Sequence, residues 1–234
     1  MARPHARWEA GAMITGRLIL VRHGETEGNV ARRLDTKLPG TPLTEDGVAQ
    51  ARELGERLHW EKPIGIFSSA ALRARQTAEH ALSTMDLDIE HTVLEGLHEV
   101  QAGDLENRSD HDSHHTFHSI YAQWHIGLLD QQIPGGESGR QVLDRFVPVI
   151  ENLRAEHLSR GEHTIVVIAH GAAIRLIAAY LASIPPQFAL ASHLRNTQSI
   201  ELGAVSDGSW HCLRWGSLLP PFGTEAESAE DPMG

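Results

Sequence analysis

Three short apolar runs punctuate the chain: RLILV at 17–21, PIGIF at 63–67 and TIVVIA at 164–169, each bounded by polar or turn residues. Continuous apolar runs of this length suit strands covered on both faces, as at the centre of a parallel sheet. Between them the apolar positions recur at helical spacing. Thr44 is placed to cap a helix with Glu45 and Asp46 in its first turn and Val48, Ala51, Gly55 and Leu58 along one face. The spacing predicts further helices from Ala70 to Ala81, from Ser138 to Arg160 and from Gly171 to Leu181. The third of these carries Val142, Phe146, Val149, Ile150 and Leu153 on one face, and Pro148 is expected to kink it. TQSIELG at 197–203 and WHCLRW at 210–215 read as late strands at an antiparallel edge.

Strands alternating with helices predict an α/β fold, a three-layer sandwich with a mostly parallel central sheet and helices on both faces. The expected organisation is one domain over 17–219 between a loose arm at 1–16 and an acidic, disordered tail at 220–234. The polar, histidine-rich stretch 104–136 is expected to be an inserted lid rather than a core element. The first fifteen residues lack the apolar stretch of a secretory signal, and Met13 offers an alternative start.

Composition narrows the class. The 234 residues include 31 Asp plus Glu against 20 Lys plus Arg, a formal charge of −11, which argues against nucleic acid or an anionic membrane as partner. No apolar run approaches the roughly 20 residues needed to cross a bilayer. The single cysteine, Cys212, is expected to be inert core, and one cysteine in the chain suits a reducing cytoplasm.

The chemistry sits where the strands end. LILV runs straight into Arg22, His23 and Gly24, and TIVVIA runs into His170 and Gly171. Ligands of open α/β sheets bind beyond the carboxyl ends of the strands, so adjacent strands bring both imidazoles to one crevice. The middle run adds Arg73 at the start of a helix, a position that itself favours anions. Two guanidinium groups and two imidazoles around one crevice form a site for a tetrahedral dianion such as phosphate. A neutral imidazole nitrogen can attack phosphorus while the remaining cations stabilise the transferring group.

RHGETEGN at 22–29, PLTEDGVAQA at 42–51, SSAALRARQTA at 68–78, PGGES at 134–138 and IAHG at 168–171 follow one another in an order and spacing that resemble the histidine phosphatase superfamily, also called phosphoglycerate-mutase-like. The resemblance implies that His23 becomes phosphohistidine, with Arg22, Arg73 and His170 as the phosphate pocket and Asn29 as a substrate-side contact. Gly171 and Thr36 join the expected substrate contacts. It also implies a carboxylate that protonates the leaving oxygen, supplied by LHEVQAGDLEN at 97–107: Glu99 is the choice over Glu95 and Glu106. No cofactor or metal is implied, and a small phosphorylated metabolite and a homodimer are the implied partners. The chain departs from the pattern at Asp35 and Thr36, where relatives often carry Gln-Gly, and at Asn107, where a glycine is usual.

Three readings follow. The first is a phosphomonoesterase; the second a mutase that returns the group to another oxygen; the third a phosphate-binding module without turnover. Thr26, Glu27, Gly28 and Asn29 replace the serine, spacer, tryptophan and asparagine usual in similar mutases, which favours the first. Arg75 is expected at the surface. His111, His114, His115 and His118 recur at helix-face spacing that could hold a transition metal, although no cysteine accompanies them. Their protonation below about pH 6.5 is expected to offset the acidic lid and give a mildly acidic optimum.

Overall fold

The computed structural model describes residues 13–159 and 161–223. Six strands form one sheet: β1 (Ile14–Arg22), β2 (Ile66–Ser69), β3 (His91–Leu94), β4 (His163–Ala169), β5 (Ser199–Val205) and β6 (Trp210–Trp215), in the order β3-β2-β4-β1-β5-β6. The first four are mutually parallel, β5 runs against β1, and β6 runs against β5. Seven helices accompany them: α1 (Glu27–Val30), α2 (Glu45–Glu61), α3 (Leu72–Leu82), α4 (His111–His125), α5 (Gly139–Leu153), α6 (Gly171–Leu181) and α7 (Pro186–Ala191). Crossovers between parallel strands carry helices onto both faces, and the core accordingly splits in two. Leu18, Leu20, Val167 and Ala169 face α4, α5, α6 and α7, while Ile19, Val21, Val166 and Ile168 face α2 and α3. This is the α/β sandwich expected from the sequence.

Local chemistry explains most boundaries. The Thr44 hydroxyl accepts from the Gly47 amide and starts α2, and Ser138 and Gln141 close a capping box at α5. The predicted helix over 138–160 ends its α-helical part at Leu153 and continues as a wider π turn over Arg154–Leu158; Pro148 lies inside α5, which runs through it. The middle strand lies later than PIGIF, at Ile66–Ser69, because Pro63 and Gly65 suit a turn and the polar Ser68 and Ser69 are buried strand residues. The edge strand β3 and the short helices α1 and α7 gave no apolar period strong enough to predict.

The boundaries of the arm and tail move. Ile14, Thr15 and Gly16 belong to β1, and Phe222 packs on Phe188 with ring centroids 4.5 Å apart. Residues 1–12 and 224–234, and the expectations placed on them, lie outside the described residues. Cys212 is half-buried on β6, where burial pushes its thiol up to about 12. Arg75 is half-buried rather than at the surface. Among the described residues no helix is long and apolar enough to cross a membrane.

The expected lid is corrected most. Within 104–136, α4 contributes Phe117, Tyr121 and Trp124 to the main core, each no more than 4% exposed. The Tyr121 hydroxyl donates to the Ala172 carbonyl at 2.8 Å, and the Trp124 indole N–H donates to Gln131 O at 2.7 Å. Gly139 admits the indole: a Cβ there would lie 2.6 Å from Trp124 Cγ. The stretch is therefore a helix of the packed layer, with an apolar stripe at 117, 121 and 124 and with His111 and His115 exposed. Trp124→Ala is expected to cost about 3–5 kcal/mol in urea unfolding, as for other buried aromatic truncations; a loss under about 1 kcal/mol would mark α4 as a detachable flap instead.

Candidate active site

Arg22 pairs with Ala169 in the β1–β4 ladder, so the residues that follow leave the sheet side by side. His23 N donates to Ala169 O, and Thr197 N donates to Arg22 O, both at 3.0 Å, which staples the strand end on two sides. The imidazoles of His23 and His170 meet edge to face with centroids 5.3 Å apart. Gly24 must be glycine because its backbone lies against α2: a Cβ would come within 2.6 Å of the Gly47 carbonyl oxygen.

His23 is held in one tautomer. Its Nδ1 lies 2.7 Å from Gly24 O, an acceptor only, so Nδ1 carries the proton. Nε2 is then the lone-pair nitrogen, and it accepts from Arg73 Nε at 3.1 Å. Burial, followed by the nearby Arg73 and Arg22 charges, holds the His23 pKa well below the usual imidazole value. His170 is fully buried behind it, with Nε2 2.9 Å from Ser69 Oγ and Nδ1 making no hydrogen bond. Burial and Arg73 likewise hold His170 well below the ordinary range.

The guanidinium groups are anchored by carbonyls. Arg22 Nη1 donates to Leu194 O at 2.7 Å, and Arg73 Nη2 donates to Asp35 O at 3.0 Å. Arg73 Nη1 lies 3.8 Å from Asp35 Oδ2 without a hydrogen bond of its own. Arg22, His23, Arg73 and Glu99 share one narrow cleft with Thr26, Asn29, Arg33 and Asp35.

Glu99 is buried at the start of α6. Its Oε1 accepts from Val100 N at 2.8 Å and Ala173 N at 2.9 Å, and its Oε2 accepts from Ala172 N at 3.2 Å. These bonds and Arg73 favour the charged form, but burial outweighs them and raises the carboxyl pKa. Glu106 sits in another environment. It accepts from the Thr36 and Lys37 amides at 3.0 and 3.1 Å and from the Thr36 hydroxyl, tying down the loop. Thr36 therefore faces Glu106, not the cleft, and Gly171 opens α6 without lining the cleft. Asn107 has φ 62°, the left-handed conformation that glycine takes readily and asparagine tolerates.

Asn29 both caps and lines. Its Oδ1 accepts from Thr26 N at 3.1 Å and from Asn196 Nδ2 at 3.2 Å, which leaves the Nδ2 donor for a cleft ligand.

Sequence patterns did not single out several contributors. Arg33 brings a half-buried guanidinium to the cleft, with a buried Nε that makes no hydrogen bond. Arg145 donates to the carbonyls of Gly96, His98 and Glu99 at 2.7, 2.8 and 3.0 Å while pairing with Glu137, and so pins the loop that presents Glu99. Asn196 donates to His23 O at 3.0 Å. A charged residue on the inner side of a helix was the available hint for Arg145; nothing local distinguished Asn196.

None of the α4 histidines lines the cleft. His111 and His115 stack with centroids 6.1 Å apart, His114 Nε2 lies 2.8 Å from Arg32 O, and His118 lies over His193. Burial holds His125 down to about 3. No group of three His, Cys, Asp or Glu among the described residues is placed to hold a metal ion.

The profile of the histidine phosphatase superfamily (branch 1) matches residues 18–218. The chain belongs to that superfamily. Its relatives span two reactions. It is 30% identical over 203 residues to a metal-independent phosphoserine phosphatase of Arabidopsis thaliana, covering 86% of this chain and 81% of the relative. It is 33% identical over 176 residues to a 2,3-bisphosphoglycerate-dependent phosphoglycerate mutase of Azorhizobium caulinodans, covering 73% and 83%. Among solved structures, a mycobacterial glucosyl-3-phosphoglycerate phosphatase in complex with VO3 superposes with a TM-score of 0.71 at 28% identity, covering 87% of this chain and 100% of that one.

The His23 geometry carries a direct expectation. Because burial and two arginines depress its pKa, histidine-selective ¹⁵N NMR is expected to show the neutral Nδ1–H tautomer from about pH 8 down to about pH 5.5, below the usual imidazole midpoint. An imidazolium signal growing in near pH 6.5 would contradict the assigned environment.

Proposed function

We propose that this superfamily member is a phosphomonoesterase working through phosphohistidine on His23, with a small phosphorylated metabolite as substrate. The observation that carries this is the fixed tautomer: Nδ1–H is spent on Gly24 O, and the lone pair of Nε2 faces the guanidinium of Arg73 in the cleft. A phosphoryl group entering there takes over the Arg73 Nε bond. Nε2 then forms a bond to phosphorus as the ester P–O bond breaks, and protonated Glu99 gives its proton to the departing oxygen. Arg22 and Arg73 hold the oxygens of the transferring group, with His170 behind His23 as a further donor. In the second step carboxylate Glu99 takes a proton from water, whose oxygen displaces Nε2 from phosphorus, and free phosphate leaves.

Arg33 at the cleft supports a substrate with one further anionic group, the chemistry shared by phosphoserine and phosphoglycerate esters. A reducing cytoplasm fits a chain with one cysteine, and a homodimer rests on family resemblance alone.

The test is a chromogenic phosphomonoester with chelator present. Steady turnover is expected, with His23→Ala reducing it to background and Glu99→Gln lowering kcat by roughly 10²–10⁴-fold, the usual weight of a general acid. No turnover with retained phosphate binding would instead mark a binding module. Isomerisation of 3-phosphoglycerate dependent on a bisphosphate primer would mark a mutase.

The pH dependence follows from the buried pair rather than from α4. Glu99 must be protonated for the first step, so activity falls as pH rises through its raised pKa. His23 must be neutral, so activity falls only at pH well below its ordinary value. The kcat/KM profile is therefore expected to peak on the acid side of neutrality; a plateau extending past about pH 8 would contradict the Glu99 assignment.

A further inference from the structure

On the α2 side of the sheet, α2 and α3 cover β1, β2 and β4, and the polar face of β5 and β6 stays open beside α2. A cleft of about 460 Å³ forms there. Arg57 of α2, Arg195 before β5 and Arg214 of β6 line it, with Glu61 and Glu201 as its carboxylates. Both carboxylates are already engaged: Glu61 with Arg17, and Glu201 with Arg17 and Arg214. Counting Arg17, four arginines meet two glutamates, so the cleft is locally positive in a chain of net charge −11. Among the described residues Arg57 has a neutral partner, donating from Nη2 to Thr197 O at 3.1 Å.

We propose that this cleft binds a small polyanion, a molecule with two or more carboxylate or phosphate groups, held chiefly by Arg57 and Arg195. Guanidinium groups with neutral or solvent partners exchange them favourably for carboxylate or phosphate oxygens, which they grip in pairs. The cleft shares a wall with the catalytic strand end. Asn196 and Thr197 line it, and the same two residues bond the backbone of Arg22 and His23: Asn196 Nδ2 to His23 O and Thr197 N to Arg22 O, both at 3.0 Å. Thr197 holds φ 60°, an uncommon conformation for a β-branched residue that its neighbours maintain. A polyanion that draws Arg57 from Thr197 O removes one of those supports and so reaches the position of His23.

The experiment is calorimetric titration of citrate and, separately, pyrophosphate into three proteins: wild type, Arg57→Gln/Arg195→Gln, and Arg22→Gln/Arg73→Gln, with circular dichroism confirming each fold. Binding by wild type is expected for at least one probe, weakened roughly tenfold or more in the first variant and kept in the second. The probe that binds more tightly assigns the anion class. Binding kept in the first variant but lost in the second would place the anion in the catalytic cleft and overturn the proposal, as would no binding by wild type. Single Arg195→Glu, a change at an exposed side chain, is expected to weaken binding in the same direction. At saturating chromogenic substrate the bound anion is expected to change kcat in wild type and not in Arg57→Gln/Arg195→Gln; an unchanged kcat with binding retained would overturn the link to His23.

Discussion

Burial of positive charge at the end of one strand pair is the constraint on which the rest depends. Arg22, His23, Arg73 and His170 are each no more than 4% exposed. Four such groups out of water would be prohibitively costly if all were charged and unpartnered. The structure meets the cost in three ways. The two imidazoles stay neutral, because burial and the arginines depress their pKa values. Main-chain carbonyls of Leu194 and Asp35 accept hydrogen bonds from the guanidinium groups. Asp35 and Glu99 bring negative or titratable oxygens close to Arg73. The residual positive potential is what suits the cleft to a tetrahedral dianion. The same desolvation that makes the site expensive keeps the His23 imidazole neutral.

The two glutamates of one loop show how environment divides roles between identical side chains. Glu99 is buried against the first turn of α6, and burial raises its pKa despite three amide donors. Glu106 spends its carboxylate on the Thr36 and Lys37 backbone. One is therefore suited to hold its proton above the ordinary carboxyl range, and the other to fix a loop. Arg145 links the two functions of that segment to the body of the protein, since it bonds three carbonyls of 96–99 and the Glu137 carboxylate at once. The loop that presents Glu99 is thus held by α5, an element that does not line the cleft.

How much was legible in the sequence follows from which interactions are local. LILV and TIVVIA announced the central strands because both faces of each are apolar, and the arginine and histidines after them stood out against that background. α6 was bounded correctly because its apolar run has clear ends. The middle strand was misplaced because its last residues, Ser68 and Ser69, are polar for the sake of the site, with Ser69 against His170. α4 was misread because its five histidines outnumber its three buried aromatics, although Phe117, Tyr121 and Trp124 recur at the four- and three-residue steps of a helix face. Arg33, Arg145 and Asn196 depend on contacts with distant segments, and no window of sequence contains both partners.

Glycine spacing ties the chemistry to the packing. Gly24 follows His23 because α2 passes directly above it, and Gly47 lies in the turn of α2 that makes that approach. The Thr44 amide donates to Glu25 O at 3.0 Å, so the start of α2 and the loop after His23 form one unit. A side chain at position 24 would have to move either the helix or the imidazole, and each is fixed by other bonds: the helix by Thr44, the imidazole by Gly24 O itself. The histidine-glycine pair at this strand end is consequently a single device, in which the glycine supplies both the space and the carbonyl that decides which nitrogen of His23 keeps its lone pair.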